Sequence, residues 1–354
     1  MDRKRVVSFG EVMLRLKAPY GEMLFQSPKL EASFGGCEAN VVVSLANYGH
    51  KTGYITTIPD NALSDAFVSD LRGMGVCCRG VQRQADSRFG IYFVEPGAMQ
   101  RPSKVVYDRA WSAFAQADPA QYDWKKLLEG YDWFHSSGIT PAVSREAADA
   151  LLAAVKAAKD LGMTVSLDLN YRGKLWKYGQ KAQDVMAEIM PYVDVCIANE
   201  GDCQAMLGID VAGVAGEGSE GGDLGAGEAL HRRYEAIAAA VMERYPQLTH
   251  VAISLRDSVN ANINRWSACL KSRDNFVVSP NYELTDIVDR VGGGDSFAGG
   301  LIHGLTEEKG EQFAIDYAVA ASCLKHSILG DYNRVKEADV LSLMKSGGSG
   351  RIDR

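Results

Sequence analysis

The chain has 354 residues, 46% hydrophobic and 23% charged, which is the balance of a globular protein with core material for one large or two ordinary domains. A formal net charge of −7 argues against a general nucleic-acid surface, and no apolar run approaches the roughly 18 residues of a membrane helix, so small molecules are the expected partners. Seven cysteines without a CxxC or Cys/His metal spacing, and an amino terminus without a signal-peptide core, point to a reduced, cytoplasmic setting.

In chain order, residues 6–9 predict a buried strand ending at Gly10, and 12–16 alternate well enough for a second, more exposed one. Residues 17–34 predict turns between short strands. Gly35 and Gly36 then open a helix carrying Val41, Val42, Leu45 and Ala46 at helical spacing. A strand over 52–58, a helix over 64–74 and two short strands over 90–94 and 104–107 follow. The strand clusters at about 12–34 and 88–108 read as one small lid sheet. Beyond residue 130, strands at 133–135, 164–168, 193–198 and 250–255 alternate with helices at 144–161, 182–190 and 235–244. That rhythm predicts right-handed crossovers and a mostly parallel sheet with helices on both faces. Residues 211–228 predict a mobile surface loop, 262–285 a hairpin region, and 347–354 a frayed tail.

The chemistry centres on Val291-Gly292-Gly293-Gly294-Asp295-Ser296-Phe297. Three consecutive glycines bring bare backbone N–H groups to an anion, and Phe297, Leu301, Ile302 and Leu305 place them on the first turn of a helix whose dipole favours negative charge. A carboxylate at Asp295 repels a bound phosphate, so its use is to take a proton from an attacking hydroxyl; a plain helix cap is the alternative on these residues alone. In a parallel sheet, ligands bind at the carboxyl ends of the strands, so segments 168–172, 199–202, 254–257 and the glycine cluster are expected on one rim. Arg109 and Arg172, planar forks that match a carboxylate, argue for an acidic substrate.

Gly35 to Asn40 (Gly-Gly-x-Glu-Ala-Asn) and Asp289 to Asp295 (Asp-x-x-Gly-x-Gly-Asp), about 250 residues apart and each opening a helix, resemble the ribokinase-like PfkB family of sugar kinases, in particular its 2-keto-3-deoxygluconate kinases. The resemblance covers nearly the whole chain. It implies an α/β, ribokinase-like three-layer sandwich over residues 1–346, with a mostly parallel central sheet and a small β-sheet lid. It also implies ATP with Mg²⁺ as cofactors and phosphorylation of the 6-hydroxyl of 2-keto-3-deoxygluconate. Asp295 inherits the role of base, and the N–H groups of Gly292, Gly293 and Gly294 hold the charge developing on the γ-phosphate. Gly35, Gly36, Asn40, Tyr92, Tyr107, Arg109 and Arg172 inherit substrate contacts. Asn199, Ser254 and Arg256, with Gly292 and Gly294, fall to the nucleotide, and Glu200 or Asp202 to Mg²⁺, largely through water.

The chain departs from the family pattern at three places. Asp202 stands for the Glu of Asn-x-x-Glu, Val291 for a frequent Thr, and Val319 for an Asn near the purine. His135 is assigned no chemistry, and residues 325–333 resemble a closing loop near the nucleotide. Exposed lid edges suggest a homodimer or higher homo-oligomer. The alternatives are a kinase of fructose, ribose or another keto-deoxy acid, and a non-catalytic sugar or nucleotide sensor. A dinucleotide oxidoreductase is disfavoured because no Gly-x-Gly-x-x-Gly turn follows residues 6–9.

Overall fold

The computed structural model describes residues 3–209, 228–258 and 260–347. The loop expected over 211–228 and the tail beyond 347 lie outside them, apart from Glu228. Among the described residues the chain begins β1 (Val6–Phe9), β2 (Met13–Lys17), β3 (Glu31–Gly35), α1 (Cys37–Asn47), β4 (Thr52–Pro59), α2 (Ala62–Gly73), β5 (Val76–Gln84), β6 (Gly90–Glu95) and β7 (Lys104–Asp108). It continues with α3 (Trp124–Leu127), β8 (Trp133–Ser137), α4 (Ile139–Val143), α5 (Arg145–Asp160), β9 (Thr164–Asp168), α6 (Ala182–Ile189), β10 (Val195–Ala198), α7 (Glu200–Leu207) and α8 (Glu228–Arg244). Last come β11 (His250–Ser258), β12 (Asn264–Ser272), β13 (Phe276–Val278), β14 (Tyr282–Leu284), α9 (Gly293–Thr306), α10 (Glu311–Lys325) and α11 (Glu337–Ser346).

The large sheet has the order β13-β12-β11-β10-β9-β8-β1-β4-β5, with β14 also paired to β12. From β11 to β5 every pairing is parallel; β12, β13 and β14 join antiparallel. The parallel strands are covered on both faces, which is why they read as near-continuous apolar runs. Val6, Val195 and Ile197 point into a core with Val41, Leu45, Phe297, Leu301 and Ala318, whereas Val7, Cys196 and Ala198 point into the opposite one with Leu151, Val155, Met186 and Ile237. Helices on both faces therefore follow from the two-residue side-chain period. No helix among the described residues is long and apolar enough to cross a membrane.

From β1 the chain progresses outward one way through β4 and β5, and the other way through β8 to β11. The strand order thus reverses between β1 and β8, where an α/β sheet opens a crevice for ligand. Strand β5 was not anticipated. Its sequence, Val-Cys-Cys-Arg-Gly-Val-Gln-Arg-Gln, lies at the sheet edge and is only intermittently buried, and its register with β4 shifts between Gly53 and Ile55. Without clean alternation, local pattern carries no strand signal there.

The smaller sheet, β3-β2-β6-β7, combines the two separate segments read as one lid. It is fastened to the large unit by Arg15 on β2. This buried guanidinium donates from Nη1 to Asp331 at 2.6 Å and from Nη2 to Asp289 at 2.7 Å. Burial works against its charge, but Asp331 and Asp289 outweigh that and hold the proton more tightly than usual. Asp331 also accepts from the Tyr92 hydroxyl at 2.6 Å, and Asp289 from the N–H groups of Val291 and Gly330, each at 3.1 Å. Replacing Arg15 by Met leaves two buried carboxylates without their cation. Denaturant unfolding is expected to show a loss of about 3–5 kcal/mol, and a loss below about 1 kcal/mol would show that the triad does not hold the small sheet in place.

Candidate active site

Two helix amino termini meet at the crevice. Gly292 caps α9 with φ of 84°, a left-handed conformation, and a Cβ there would strike the carbonyl oxygen of Asp331. A Cβ on Gly293 would meet the His326 ring at 2.7 Å, while Gly294 faces open space. The N–H of Gly293 makes a long bond of 3.4 Å to the carbonyl of Arg290, leaving the rest of the first turn, which has no intrahelical acceptor, to an anion.

Asp295 lies in that first turn and is buried. Asn40 of α1 donates from Nδ2 to Asp295 Oδ2 at 2.6 Å, and its own Oδ1 accepts from Gly36 N–H at 3.4 Å. Burial raises the Asp295 carboxyl to about 6, the bond from Asn40 opposes this, and the nearby charge of Asp331 adds to it. A carboxylate poised there is mostly ionised at neutral pH yet basic enough to accept a hydroxyl proton. The glycines before α1 serve approach: a Cβ on Gly35 would collide with Asp331 and Tyr92, and one on Gly36 with the Glu11 carbonyl.

Asp168 at the end of β9 is likewise buried. Its proton affinity is raised well above normal by burial, then by the charges of Asp202 and Asp295, with Arg172 pulling the other way. The rim segments at 168–172 and 199–202 are joined directly, since Tyr171 N–H donates to Asp202 Oδ1 at 3.1 Å. Asp202 and Asn199 form a reciprocal cap on α7: Asp202 N–H donates to Asn199 Oδ1 at 2.9 Å, and Asn199 N–H to Asp202 Oδ2 at 3.3 Å. On the third segment, Ser254 reaches the Ala198 carbonyl at 3.5 Å, and Arg256 lies within charge reach of Arg290 and His326. His326 borders Gly293, and burial together with these arginines pushes its pKa down to about 4, so a neutral imidazole flanks the glycine turn.

A family model described as pfkB family carbohydrate kinase matches residues 3–220. The chain belongs to the pfkB family of carbohydrate kinases. It is 31% identical over 349 residues to the 2-dehydro-3-deoxygalactonokinase of Haloferax volcanii, covering 99% of each chain. It is 26% identical over 332 residues to the 2-dehydro-3-deoxygluconokinase of Thermoproteus tenax, covering 92% of this chain and 89% of that one. The crystal structure of 2-dehydro-3-deoxygluconokinase from Thermotoga maritima superposes with a TM-score of 0.88 at 43% identity, covering 97% of this chain and 100% of that one. The ribokinase-like α/β fold anticipated from the two glycine motifs is the fold of this kinase.

Within the kinase, the residues expected to meet the sugar divide. Arg172 is exposed in the cleft, within electrostatic reach of Cys37, Tyr107, Asp168 and Asp202. Tyr107 on β7 reaches toward the cleft from the small sheet, 6.2 Å ring to ring from Tyr92 and with the Arg109 guanidinium 5.6 Å from its ring. Arg109 differs from expectation. Its guanidinium is buried and closed on Glu11, donating from Nε at 2.8 Å and again from Nη2, while Ser112 holds the other Glu11 oxygen at 2.5 Å. A buried glutamate needs such a partner, and the Nε–Nη2 edge of the fork is spent on it. Tyr92 is similarly engaged, with its hydroxyl on Asp331.

The expected metal carboxylates also separate. Glu200 is ion-paired with Arg233 of α8, whereas Asp202 spends a lone pair of each oxygen on backbone N–H groups and keeps the others. Val319 is fully buried among the core residues of α9 and α10 and does not line the cleft. His135 is buried beneath the site, 2.9 Å from Ser166 Oγ, and burial pushes its pKa down to about 3, which agrees with a structural role. A cavity of about 450 Å³ lined by Lys17, Asp70, Tyr332 and Arg334 borders the Arg15–Asp331 pair but includes none of the expected ligand contacts.

Sequence reasoning missed Glu38. This glutamate of the first glycine motif accepts from Ser137 N–H at 3.0 Å, Ser137 Oγ at 2.6 Å and Thr140 Oγ1 at 2.9 Å, tying α1 to the end of β8. Its place between Gly36 and Asn40 was the available signal.

Because the folded protein holds the Asp295 proton more tightly than an unfolded chain does, stability is fullest below the ordinary Asp range and falls as pH rises through about 6. Asp295→Asn is spared that loss. It is expected to be more stable than wild type by roughly 2–3 kcal/mol at alkaline pH, at 1.36 kcal/mol per pKa unit, with turnover reduced by on the order of 10² to 10⁴. Wild-type turnover should rise with pH through an apparent pKa near 6 and level off above it. A flat profile from pH 5 to 8, at about constant substrate saturation, would remove Asp295 as the base.

Proposed function

We propose that this carbohydrate kinase transfers the γ-phosphoryl group of ATP to the 6-hydroxyl of 2-dehydro-3-deoxygluconate, with Asp295 as the base. The single observation that carries the reading is the placement of an exposed guanidinium, Arg172, over the same cleft as the buried carboxylate Asp295. The sugar-acid relatives support it. In this reading the hydroxyl proton passes to an Asp295 oxygen as the sugar oxygen bonds to the γ-phosphorus and ADP leaves. The first turn of α9 stabilises the charge that spreads over the phosphoryl oxygens. Arg256 and Arg290 lie on the nucleotide side with Asn199 and Ser254, and the small sheet, carrying Tyr107, acts as the lid.

Magnesium fits the carboxylate set by chemistry. Asp202 and Asp295 lie near enough to Asp168 to raise its proton affinity, a situation that a divalent cation relieves. Asp202 rather than Glu200 is the residue to hold it, through water, since Glu200 is committed to Arg233. Such an ion, when bound, neutralises phosphate charge. The 2-dehydro-3-deoxygalactonate epimer is a second reading, favoured by the Haloferax volcanii relative.

With Arg109 closed on Glu11, carboxylate recognition rests on Arg172. Arg172→Gln is expected to raise the Michaelis constant for 2-dehydro-3-deoxygluconate by about 10- to 150-fold, the equivalent of roughly 1.5–3 kcal/mol, while barely changing that for fructose. Equal losses on acid and neutral sugar would defeat the sugar-acid reading and leave the kinase assignment standing.

The lid also suggests a second copy of this chain as partner, and the free chain as a cytoplasmic protein with all seven cysteines unpaired. β3 and β7 are unpaired edges, and Phe25, Val105, Val106 and Trp111 on or beside this sheet are exposed, an apolar surface that pairing lids would cover. Light scattering is expected to give a dimer or a multiple of one, reduced to monomer by Val106→Lys. A monomeric wild type would exclude the lid interface.

A further inference from the structure

At the far end of α9 from Asp295, a histidine and two glutamates face one another outside the kinase site. His303, Glu307 and Glu337 each offer one ligand atom, and these atoms lie within 4.8 Å of one another. His303 and Glu307 come from the last turn and cap of α9, and Glu337 from the first turn of α11.

The hydrogen bonds fix the histidine tautomers. His50 Nδ1 is 2.9 Å from the Lys4 carbonyl, an acceptor only, so Nδ1 carries the His50 proton. His50 Nε2 is therefore the acceptor in its 3.0 Å contact with His303 Nδ1, which must be the donor. That leaves His303 Nε2 as a bare lone pair on a fully buried ring. It has no hydrogen-bond partner, and Glu337 Oε1 lies 3.6 Å from it.

A lone pair facing carboxylates is repulsive unless an electrophile lies between them. An imidazole nitrogen whose other N–H is held by a neighbour, together with two carboxylate oxygens, is the donor set of a borderline divalent ion. The C-terminal end of a helix dipole, where His303 and Glu307 sit, also favours a cation. We propose that His303, Glu307 and Glu337 form a structural binding site for a first-row divalent metal ion such as Zn²⁺, with solvent completing the coordination.

Arg3 is the built-in competitor. Its Nη2 is 2.6 Å from Glu337 and its Nε 3.4 Å from Glu307, while Nη1 donates to the Tyr48 carbonyl. Lys309 adds a contact to Glu307 at 3.0 Å. The guanidinium satisfies part of the carboxylate charge but does nothing for the His303 lone pair, which only an ion or a proton can use. The ion would join α9 to α11 roughly 12 Å along the helix from Asp295, at 1.5 Å per residue, and so brace the helix that carries the base without touching substrate.

The test is calorimetric titration of zinc into the chelator-treated, nucleotide-free full-length protein, with thermal unfolding as a second readout. Wild type is expected to bind one equivalent of zinc that raises its melting temperature. Glu307→Gln/Glu337→Gln, whose kinase activity with Mg-ATP in the absence of zinc should match wild type and so report an intact fold, is expected to bind that equivalent at least about 100-fold more weakly. Arg3→Gln should bind it more tightly than wild type. The inference is overturned if the double variant binds zinc as wild type does, or if neither wild type nor Arg3→Gln shows saturable binding.

Discussion

The arrangement depends on one buried cation. Arg15 belongs to the small sheet by sequence position but is tied by chemistry to the segments around the glycine turn, since its two nitrogens divide between Asp289 and Asp331. Asp289 in turn holds the N–H of Val291 just before the glycine turn, and Asp331 supplies the carbonyl against which Gly292 is packed. A three-charge cluster of this kind is costly to desolvate, and its value lies in specifying one geometry, because any displacement of the small sheet leaves a buried carboxylate unpaired. The fold thus ties the position of the small sheet to the shape of the glycine turn that opens α9.

Around that constraint, the site is tuned mainly by removal of water. Asp295, Asp168 and Glu38 are all buried acids whose proton affinity is raised first by desolvation, and each is handled differently. Glu38, raised to about 7, is surrounded by hydroxyl and N–H donors and serves the scaffold. Asp295 has one strong donor, Asn40, and open space beyond Gly294, which leaves it able to meet a substrate. Asp168 relies on its neighbours and on Arg172. A buried carboxyl therefore takes a different character at each of the three positions according to what surrounds it.

Much of this was legible in the sequence, for identifiable reasons. The buried strands β1, β9 and β10 and the helices opened by Gly36 and Gly292 announce themselves by period and by glycine placement. The pairing of segments near 12–34 and 88–108 into one small sheet was also readable from their shared character. What was not legible is long-range pairing. Glu11 has no local mark that it will close the Arg109 fork 98 residues away, and nothing near Arg15 points to Asp331, 316 positions later. Edge strand β5, with its bulged register and mixed polarity, lacks the alternation on which a strand is recognised. Glu200 and Asp202 look equivalent in sequence and separate only because α8 brings Arg233 to the first of them.

The central claim is that a base at a glycine-built helix terminus and an arginine across the cleft together select a sugar acid for phosphorylation. The most direct measurement is ADP release by the purified wild-type protein with Mg-ATP, comparing 2-dehydro-3-deoxygluconate, its galacto epimer and fructose side by side. The account predicts the highest kcat/KM on a 2-dehydro-3-deoxy sugar acid, with fructose far behind. Turnover of fructose equal to or better than that of both acids would contradict it.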